Sequence, residues 1–268
     1  MIADLHMHSN NSDGTMLPRT IVSCCKSLGI KVMSLTDHDN VGGVREAVIN
    51  GLLKGVKVIP GIELSSFRDR EIHILGYNID YENENFLKEL AIIQDRRENR
   101  NLDIVENLKG IGINLDYESM KREKASVGRI HMALQMKDRG YVNSVSEAFE
   151  KYIGYGCPCY VKSPLISPEK AIKIINDYKG VAVLAHPYRF IEEGNMRKVV
   201  ESLPGLSGVE VYYPWHTEAI KEELLKIAEE FNLFVTGGSD FHNIISGSPI
   251  GSSNYNMNDR TAEMLRIV

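Results

Sequence analysis

Long apolar runs are missing from this chain: no stretch approaches the roughly 20 residues that a membrane-spanning helix needs. The opening Met1-Ile2-Ala3-Asp4-Leu5-His6 enters a strand-like run at once and leaves no room for a signal peptide. A cytoplasmic protein is therefore expected. Cysteine is scarce, with four residues in two close pairs, Cys24-Cys25 and Cys157-Pro158-Cys159. Cys24 and Cys25 are helix neighbours, and Cys157 and Cys159 are too close for an ordinary disulfide. A Cys-x-Cys metal half-site lacks its second half here, so reduced thiols are expected. Excess positive charge is also lacking. A net charge of −5 argues against a surface that coats nucleic acid, while a phosphate-bearing substrate held locally stays compatible. Internal repeats, low-complexity segments and a nucleophile elbow are absent, and Gly237-Gly238 lacks the spacing of a dinucleotide loop.

What is present is an alternation of strands and helices over 268 residues, enough for one large α/β domain with an insertion. Strands are expected at Ile2–His6, Lys31–Thr36, Val56–Ile62, Glu71–Tyr77, Val181–Ala185, Gly208–Tyr212 and Leu233–Thr236. Helices are expected between them at Pro18–Leu28, Val44–Leu53, Met196–Ser202 and Thr217–Phe231. The first-third segments read as βα units of the parallel type. Between about 82 and 178 the strand signal disappears. A long polar helix, Asn85–Lys109, is followed by helices at Tyr117–Glu123, Gly128–Arg139, Val145–Tyr152 and Pro168–Tyr178, with a loop over Gly154–Pro164. The expected organisation is a barrel from residues 1–81 and 179–268, carrying a helical insertion at 82–178.

The eight histidines fall in or beside strand-end phrases. In an α/β barrel those ends converge on one face, where imidazoles and carboxylates from several strands can build a multinuclear metal site. His6 and His8 are two apart on a strand and share one face. Asp13 follows in a Ser-Asp-Gly turn that an Asx-turn alone would also explain. Asp37-His38-Asp39 ends the second strand. Glu63 ends the third, where a carboxylate buried alone is costly and a cation is a fitting partner. His73 lies within a strand, where a hydrogen-bonded core histidine is the plain alternative. Ala185-His186-Pro187 and Asp240-Phe241-His242 close the set. Any one of these is ordinary; their recurrence at strand ends points to metal.

In order, Asp-Leu-His-x-His-Ser, Leu-Thr-Asp-His-Asp, Gly-Ile-Glu, His-Ile-Leu-Gly-Tyr, Ala-His-Pro and Gly-Ser-Asp-Phe-His resemble the motifs of the PHP family, named for polymerase and histidinol phosphatase domains. The resemblance spans residues 4 to 242. It implies a distorted (β/α)7 TIM-like barrel with three divalent ions, Mn, Fe or Zn, at its C-terminal face. One ion would take His6, His8, Glu63 and Asp240. A second would take Glu63, His73 and His186, and the third Asp13, His38 and His242. Glu63, Asp240 and His242 would then be the catalytic residues. Such ions suit phosphate ester hydrolysis, because water bridging two of them loses a proton near neutral pH.

The helical insertion is similar to that of the family's small-nucleotide phosphoesterases, which act on nucleoside 3′,5′-bisphosphates or the 5′ ends of short RNA. There the Gly-Arg-x-His element, here Gly128-Arg129-Ile130-His131, caps the active site and contacts phosphate. Arg129, His131, His216 and Asp39 are the expected substrate contacts, with a structural rim histidine as the alternative for His216. Arg97 and Arg100 on the long helix are expected to form a solvated charged face, with a position facing the cleft as the alternative. Tyr212, Tyr213 and Trp215 suit base stacking or core packing equally. The competing readings are a histidinol-phosphate phosphatase, an amidohydrolase and a metal-bound module without turnover. The amidohydrolase usually needs a carboxylated lysine that no strand end supplies. The inert module usually loses ligands that this chain keeps.

Overall fold

A computed structural model describes residues 1–123, 126–162, 165–243 and 247–267, without the side chains of residues 122, 123 and 189. In chain order its elements are β1 (Ala3–Asp4), α1 (Pro18–Ser27), β2 (Val32–Leu35), α2 (Val44–Lys54), β3 (Lys57–Phe67) and β4 (Glu71–Tyr77). Then come α3 (Glu84–Gly110), α4 (Tyr117–Glu123), α5 (Arg129–Asp138), α6 (Val145–Ala148) and α7 (Pro168–Asp177). The chain ends with β5 (Val181–Leu184), α8 (Tyr188–Glu192), α9 (Met196–Glu201), β6 (Gly208–Tyr212), α10 (Glu218–Glu230), β7 (Phe234–Gly237) and α11 (Asp259–Met264). Ser163 and Pro164, the end of the expected 154–164 loop, lie outside the described residues. No helix among the described residues is long and apolar enough to cross a membrane.

The seven strands form one sheet in sequence order. The hydrogen bonds Leu5 N to Gly237 O (3.0 Å), His8 N to Phe241 O (2.8 Å) and Asp240 N to His6 O (2.8 Å) bring its first and last strands together into a barrel. The fold is the TIM-like α/β barrel expected. One departure concerns strand direction. β4 runs antiparallel to both β3 and β5, so the early strands are not all parallel βα units. Only a short turn joins β3 to β4, too little chain for a crossover helix, so a hairpin results. The hairpin also carries β3 on to Phe67, beyond the expected end at Ile62. Because β4 is reversed, its first residues rather than its last lie at the barrel's C-terminal face. That reversal takes Glu71 and His73 to the site.

Period-two alternation divides the strand residues between two apolar layers. Leu5, Val32, Ile59, Leu75, Tyr77, Val183 and Phe234 fill one core, closed by Tyr255 and Met257. Ile62, Leu64, Ile74, Leu184, Val209 and Val211 face the surrounding helices in the other. Gly238 has a packing role the sequence did not suggest. A Cβ there would lie 2.3 Å from the Cβ of His6, so only glycine lets the chain leaving β7 pass this close.

The helices of residues 84–177 pack in two groups. Ile104 and Leu108 of α3 join Met132, Met136, Ala148 and Ile153 in a separate core. Phe86, Leu90 and Ile93 at the start of α3, and Ile172, Ile174 and Ile175 of α7, instead pack in the barrel's outer core. Thus α3 bridges the two cores, and α7 rests on the barrel. The helix expected at Val145–Tyr152 continues from α6 into a π-helical turn, Phe149–Ile153. Wide turns of this kind tend to mark functional positions, and Phe149 lines the cleft beside the strand ends.

Candidate active site

All nine expected metal ligands meet at the C-terminal face of the barrel. Three sets of donor atoms each lie within 4.8 Å of one another: His6, His8, Glu63 and Asp240; His8, Asp13, His38 and His242; and His38, Glu63 and His73. The first set is the one the family resemblance implies, and the second adds His8 to the implied trio. In the third, His38 stands where His186 was expected. His186 approaches the same carboxylate from the other side, with Nε2 3.2 Å from Glu63 Oε1.

Glu63 is the hub. Its Oε1 lies 3.0 Å from His73 Nδ1, and its Oε2 lies 3.1 to 3.4 Å from His38 Nδ1, His8 Nε2 and His6 Nε2. The Glu63 backbone is tied to the neighbouring strand end, accepting from Asp39 N at 2.9 Å and donating to Asp37 O at 3.2 Å. His186 and Asp240 turn out of their strands at φ 27° and 52°, in the left-handed region that side chains avoid. Such strain is held only where surrounding contacts fix it, and it concentrates at functional sites.

A layer of carboxylates lies behind the cluster: Asp4 and Asp37 stand in the family motifs without an assigned role, and Glu210 was missed in the sequence. Glu210, on β6, lies 3.1 Å from His6 Nδ1 and accepts the His186 backbone N–H at 2.8 Å. The Nδ1 proton of His6 is thereby fixed toward Glu210, and Nε2 presents its lone pair to the cluster. Asp4 accepts from Ser239 N (2.9 Å) and Gly251 N (2.7 Å), and Asp37 accepts from Ser9 N and Ser9 Oγ, both at 2.7 Å. In sequence Glu210 is one acidic residue within an apolar strand. That pattern was its only signal.

The electrostatics fit a cation. Burial alone would raise the Glu63 carboxyl, but His38, His6 and His73 hold it well below the ordinary range. Asp13 and Asp240 are likewise held low against burial, by His242 with His38 and by His6 with His242. Burial pushes His38 down, whereas Asp13 and Asp240 overcome burial at His242 and raise it to about 10. The buried nitrogens His6 Nε2, His8 Nδ1 and Nε2, His38 Nδ1 and His73 Nδ1 make no hydrogen bond among the described residues. Buried polar atoms are seldom left so, and divalent cations would satisfy them.

A pH dependence follows for protein stripped with a chelator. Raised imidazoles such as His242 contribute stability that is full below pH 6.5 and is lost as pH rises towards the folded value near 10. The depressed carboxylates contribute above their ordinary range near 4 and lose that contribution as pH falls through their lower folded values. His38, pushed down, opposes the other imidazoles. We therefore expect the stripped protein's Tm, read by calorimetry, to drop by on the order of 5 °C between pH 6.5 and 9.5. A Tm that rises across that interval would contradict this reading.

The cluster forms one wall of a cleft of about 580 Å³, lined also by Arg129, Phe149, Tyr155, Tyr160, Tyr188 and Tyr213. A smaller chamber of about 130 Å³ opens beside Asp13, His38 and His73 and is lined by Arg97, Arg100 and Arg129. Arg97 and Arg100 therefore do not form a solvated face. They are only 9 % and 4 % exposed. Arg97 Nη1 donates to Asp39 Oδ2 at 2.8 Å and to Ser65 Oγ at 3.0 Å, and Arg100 Nη1 donates to Glu71 Oε1 at 3.2 Å. α3 packs both against the chain at 127–129, which a helical charge pattern cannot reveal.

The expected substrate contacts separate in the structure. Arg129 lines both cavities and pairs with Glu71. Asp39 is fully buried, and both its oxygens are engaged, one by Ser65 N at 2.8 Å and the other by Arg97. His131 is buried, and its Nδ1 accepts the Gly128 N–H at 2.9 Å, capping α5. His216 is buried with Nδ1 donating to Val211 O at 2.8 Å, its ring beside Tyr213. None of these three lines the cleft or the chamber. Local hydrogen bonding and packing take them instead. Tyr213 does face the cleft, donating to Asp240 Oδ2 at 3.2 Å. Tyr212 stacks on Tyr255, and Trp215 is 67 % exposed.

Comparison with known proteins agrees with this geometry. The model of the PHP domain matches residues 4–232. The chain belongs to the PHP family. Among its PHP relatives, a 5′-3′ exoribonuclease of Haemophilus influenzae is 34 % identical over 247 residues, 89 % of each protein. A 3′,5′-nucleoside bisphosphate phosphatase of Chromobacterium violaceum is 30 % identical over 249 residues, covering 89 % of this chain and 86 % of that protein. Of solved structures, one called an amidohydrolase from Chromobacterium violaceum, with bound sulfate and no metal, superposes with a TM-score of 0.85 at 28 % identity. That match covers 92 % of this chain and 90 % of the other. A protein of Bifidobacterium adolescentis provisionally named a metal-dependent phosphoesterase also gives 0.85, at 27 % identity, covering 99 % and 95 %.

Proposed function

We propose that this PHP protein is a metal-dependent phosphoesterase. It hydrolyses a phosphate monoester of a small nucleotide, either a nucleoside 3′,5′-bisphosphate or the 5′ end of a short RNA. One observation carries the reading: the Glu63-centred cluster and the Arg97, Arg100 and Arg129 guanidiniums flank adjoining cavities. Two separate anion-binding walls suit a substrate with two phosphates. The relatives named for nucleotide and RNA substrates support it. A single-phosphate substrate such as histidinol phosphate leaves the arginines unused.

Three divalent ions, Mn, Fe or Zn, would be held by His6, His8, Glu63 and Asp240, by Glu63, His73 and His186, and by Asp13, His38 and His242. Bound there, such ions lower the pKa of water and screen phosphoryl oxygens. The chain's own residues do the rest. Glu63, shared between sets, fixes their spacing. Tyr213, whose hydroxyl burial and then Asp240 push well up, stays a proton donor to Asp240 Oδ2. His242 donates its Nδ1 proton to Asp240 O at 2.8 Å, which leaves Nε2 basic on the side of Asp13. Glu63, Asp240 and His242 are the residues we assign to catalysis. Arg129 binds the non-reacting phosphate. The helices around it, α4 to α6, act as a cap that keeps bulk water from the reacting group. The four unbridged cysteines fit a reducing cytoplasm.

The test is phosphate release by Mn-loaded protein from a nucleoside 3′,5′-bisphosphate, a 5′-phosphorylated short RNA and histidinol phosphate. Turnover of histidinol phosphate alone would overturn the substrate assignment. A charge-assisted bidentate contact contributes about 1.5–3 kcal/mol, so Arg129→Ala should lower kcat/KM on the bisphosphate by roughly ten- to a hundredfold. An aryl phosphate should lose much less, and equal losses would place Arg129 at the reacting group. Glu210→Gln should weaken metal binding by about 10- to 100-fold in a chelator competition, because His6 loses the carboxylate that fixes its tautomer. Native affinity in that variant would remove Glu210 from the metal centre.

A further inference from the structure

Glu71 is a cavity-lining residue whose role neither the family motifs nor the metal cluster explains. It stands at the start of β4 and lines both the outer cleft and the inner chamber. Its Oε1 accepts from Arg100 at 3.2 Å, and its Oε2 pairs with Arg129. The chamber's other arginine, Arg97, is already neutralised by Asp39, which does not line the chamber. The chamber's other carboxylate, Asp13, is held by His242 at 3.3 Å and His38 at 3.7 Å. Glu71 is therefore the anion that Arg100 and Arg129 share.

Two further features show that these guanidiniums are set up to receive more than this carboxylate. Arg100 is 4 % exposed, and its Nε has no hydrogen-bond partner among the described residues. Arg129 is held independently of Glu71, with its guanidinium 5.6 Å from the Phe149 ring centroid and 5.9 Å from that of Tyr160. Its charge would thus stay in place if Glu71 turned away. The Glu71 side chain is 25 % exposed and has the cleft to turn into.

We propose that Glu71 is an internal stand-in for a substrate phosphate: it neutralises Arg100 and Arg129 in the free protein and is displaced when a phosphoryl dianion enters. This rests on the phosphoesterase reading above. A tethered carboxylate offers two acceptor oxygens and one charge, whereas a phosphate dianion offers three oxygens and nearly two charges. Only the stronger anion wins both guanidiniums. Glu71 thereby sets specificity against carboxylates and other weak anions, and it lowers affinity for the correct ligand by the work of displacement.

Inorganic phosphate is the probe, with its affinity for Mn-loaded wild type and Glu71→Gln measured by titration calorimetry beside the KM for a bisphosphate. Orthophosphate should bind about tenfold tighter to Glu71→Gln, and KM should fall by a similar factor whatever happens to kcat. Glu150 also lines the cleft but accepts from Ser146 Oγ at 2.7 Å, so Glu150→Gln removes the same charge from the cleft wall and should leave phosphate affinity unchanged. If Glu71→Gln does not melt cooperatively, Glu71→Asp, too short to span both guanidiniums, should tighten binding about threefold. Unchanged or weaker phosphate binding in the Glu71 variants would overturn the proposal, and so would equal tightening by Glu150→Gln. Tighter orthophosphate binding without turnover of any nucleotide would instead overturn the substrate reading and leave Glu71 in its role.

Discussion

Glu63→Gln should lose at least about a thousandfold in kcat/KM, corresponding to the several kcal/mol that metal-supplied charge stabilisation contributes to phosphoryl transfer. The cause is local. Both Glu63 oxygens face imidazoles, with His73 and His186 on Oε1 and His38, His8 and His6 on Oε2. A neutral amide presents one oxygen and one N–H donor, so it cannot hold cations on both sides. Metal content measured by elemental analysis should fall in parallel. Because the buried imidazoles would then face one fewer charge, stability should be tracked alongside activity. A variant that keeps near-native activity and metal content would show that the centre is assembled elsewhere.

Arg97→Ala should destabilise the fold by about 3–5 kcal/mol, the usual cost of leaving one member of a buried ion pair alone. Asp39 would be stranded, fully buried, with Ser65 N as its remaining partner. The loss extends further than one pair. Arg97 Nε lies 3.5 Å from Val127 O, which Asn101 Nδ2 also meets at 2.8 Å, so α3 positions the chain just before Arg129. Tm should fall by roughly 10 °C for a chain of this size. Bisphosphate kcat/KM should fall even at temperatures where the variant is folded. Arg97→Lys, which keeps the charge but not the fork, should recover stability in part. A Tm within a degree of wild type for Arg97→Ala would mean that the pair is solvent-relaxed rather than buried.

The nine positions that converge at the strand ends were legible in the sequence because their signal is local: short polar phrases placed at the ends of apolar runs. Glu210 and Glu71 carry no such signal. Each is a single acidic residue on a strand, and its meaning depends on which side chain faces it from over a hundred residues away for Glu210, and from α3 and α5 for Glu71. Arg97 and Arg100 show the same limit from the other side. A charged helix face reads as solvated until another layer of protein covers it. His131 was placed at the substrate by the family resemblance and His216 by its position after the sixth strand; in the fold Nδ1 of each is engaged, with Gly128 N and with Val211 O.

Sequence alone determined the α/β class, the approximate strand positions, the nine positions that converge at the strand ends and the family, since apolar periodicity and motif order are properties of the chain read in one dimension. The tertiary structure decided the reversal of β4, the packing of α7 on the barrel, and the pairing of every buried charge with its partner. Those depend on distances between segments far apart in the chain, and ion pairing and burial are fixed only when the fold brings such segments together.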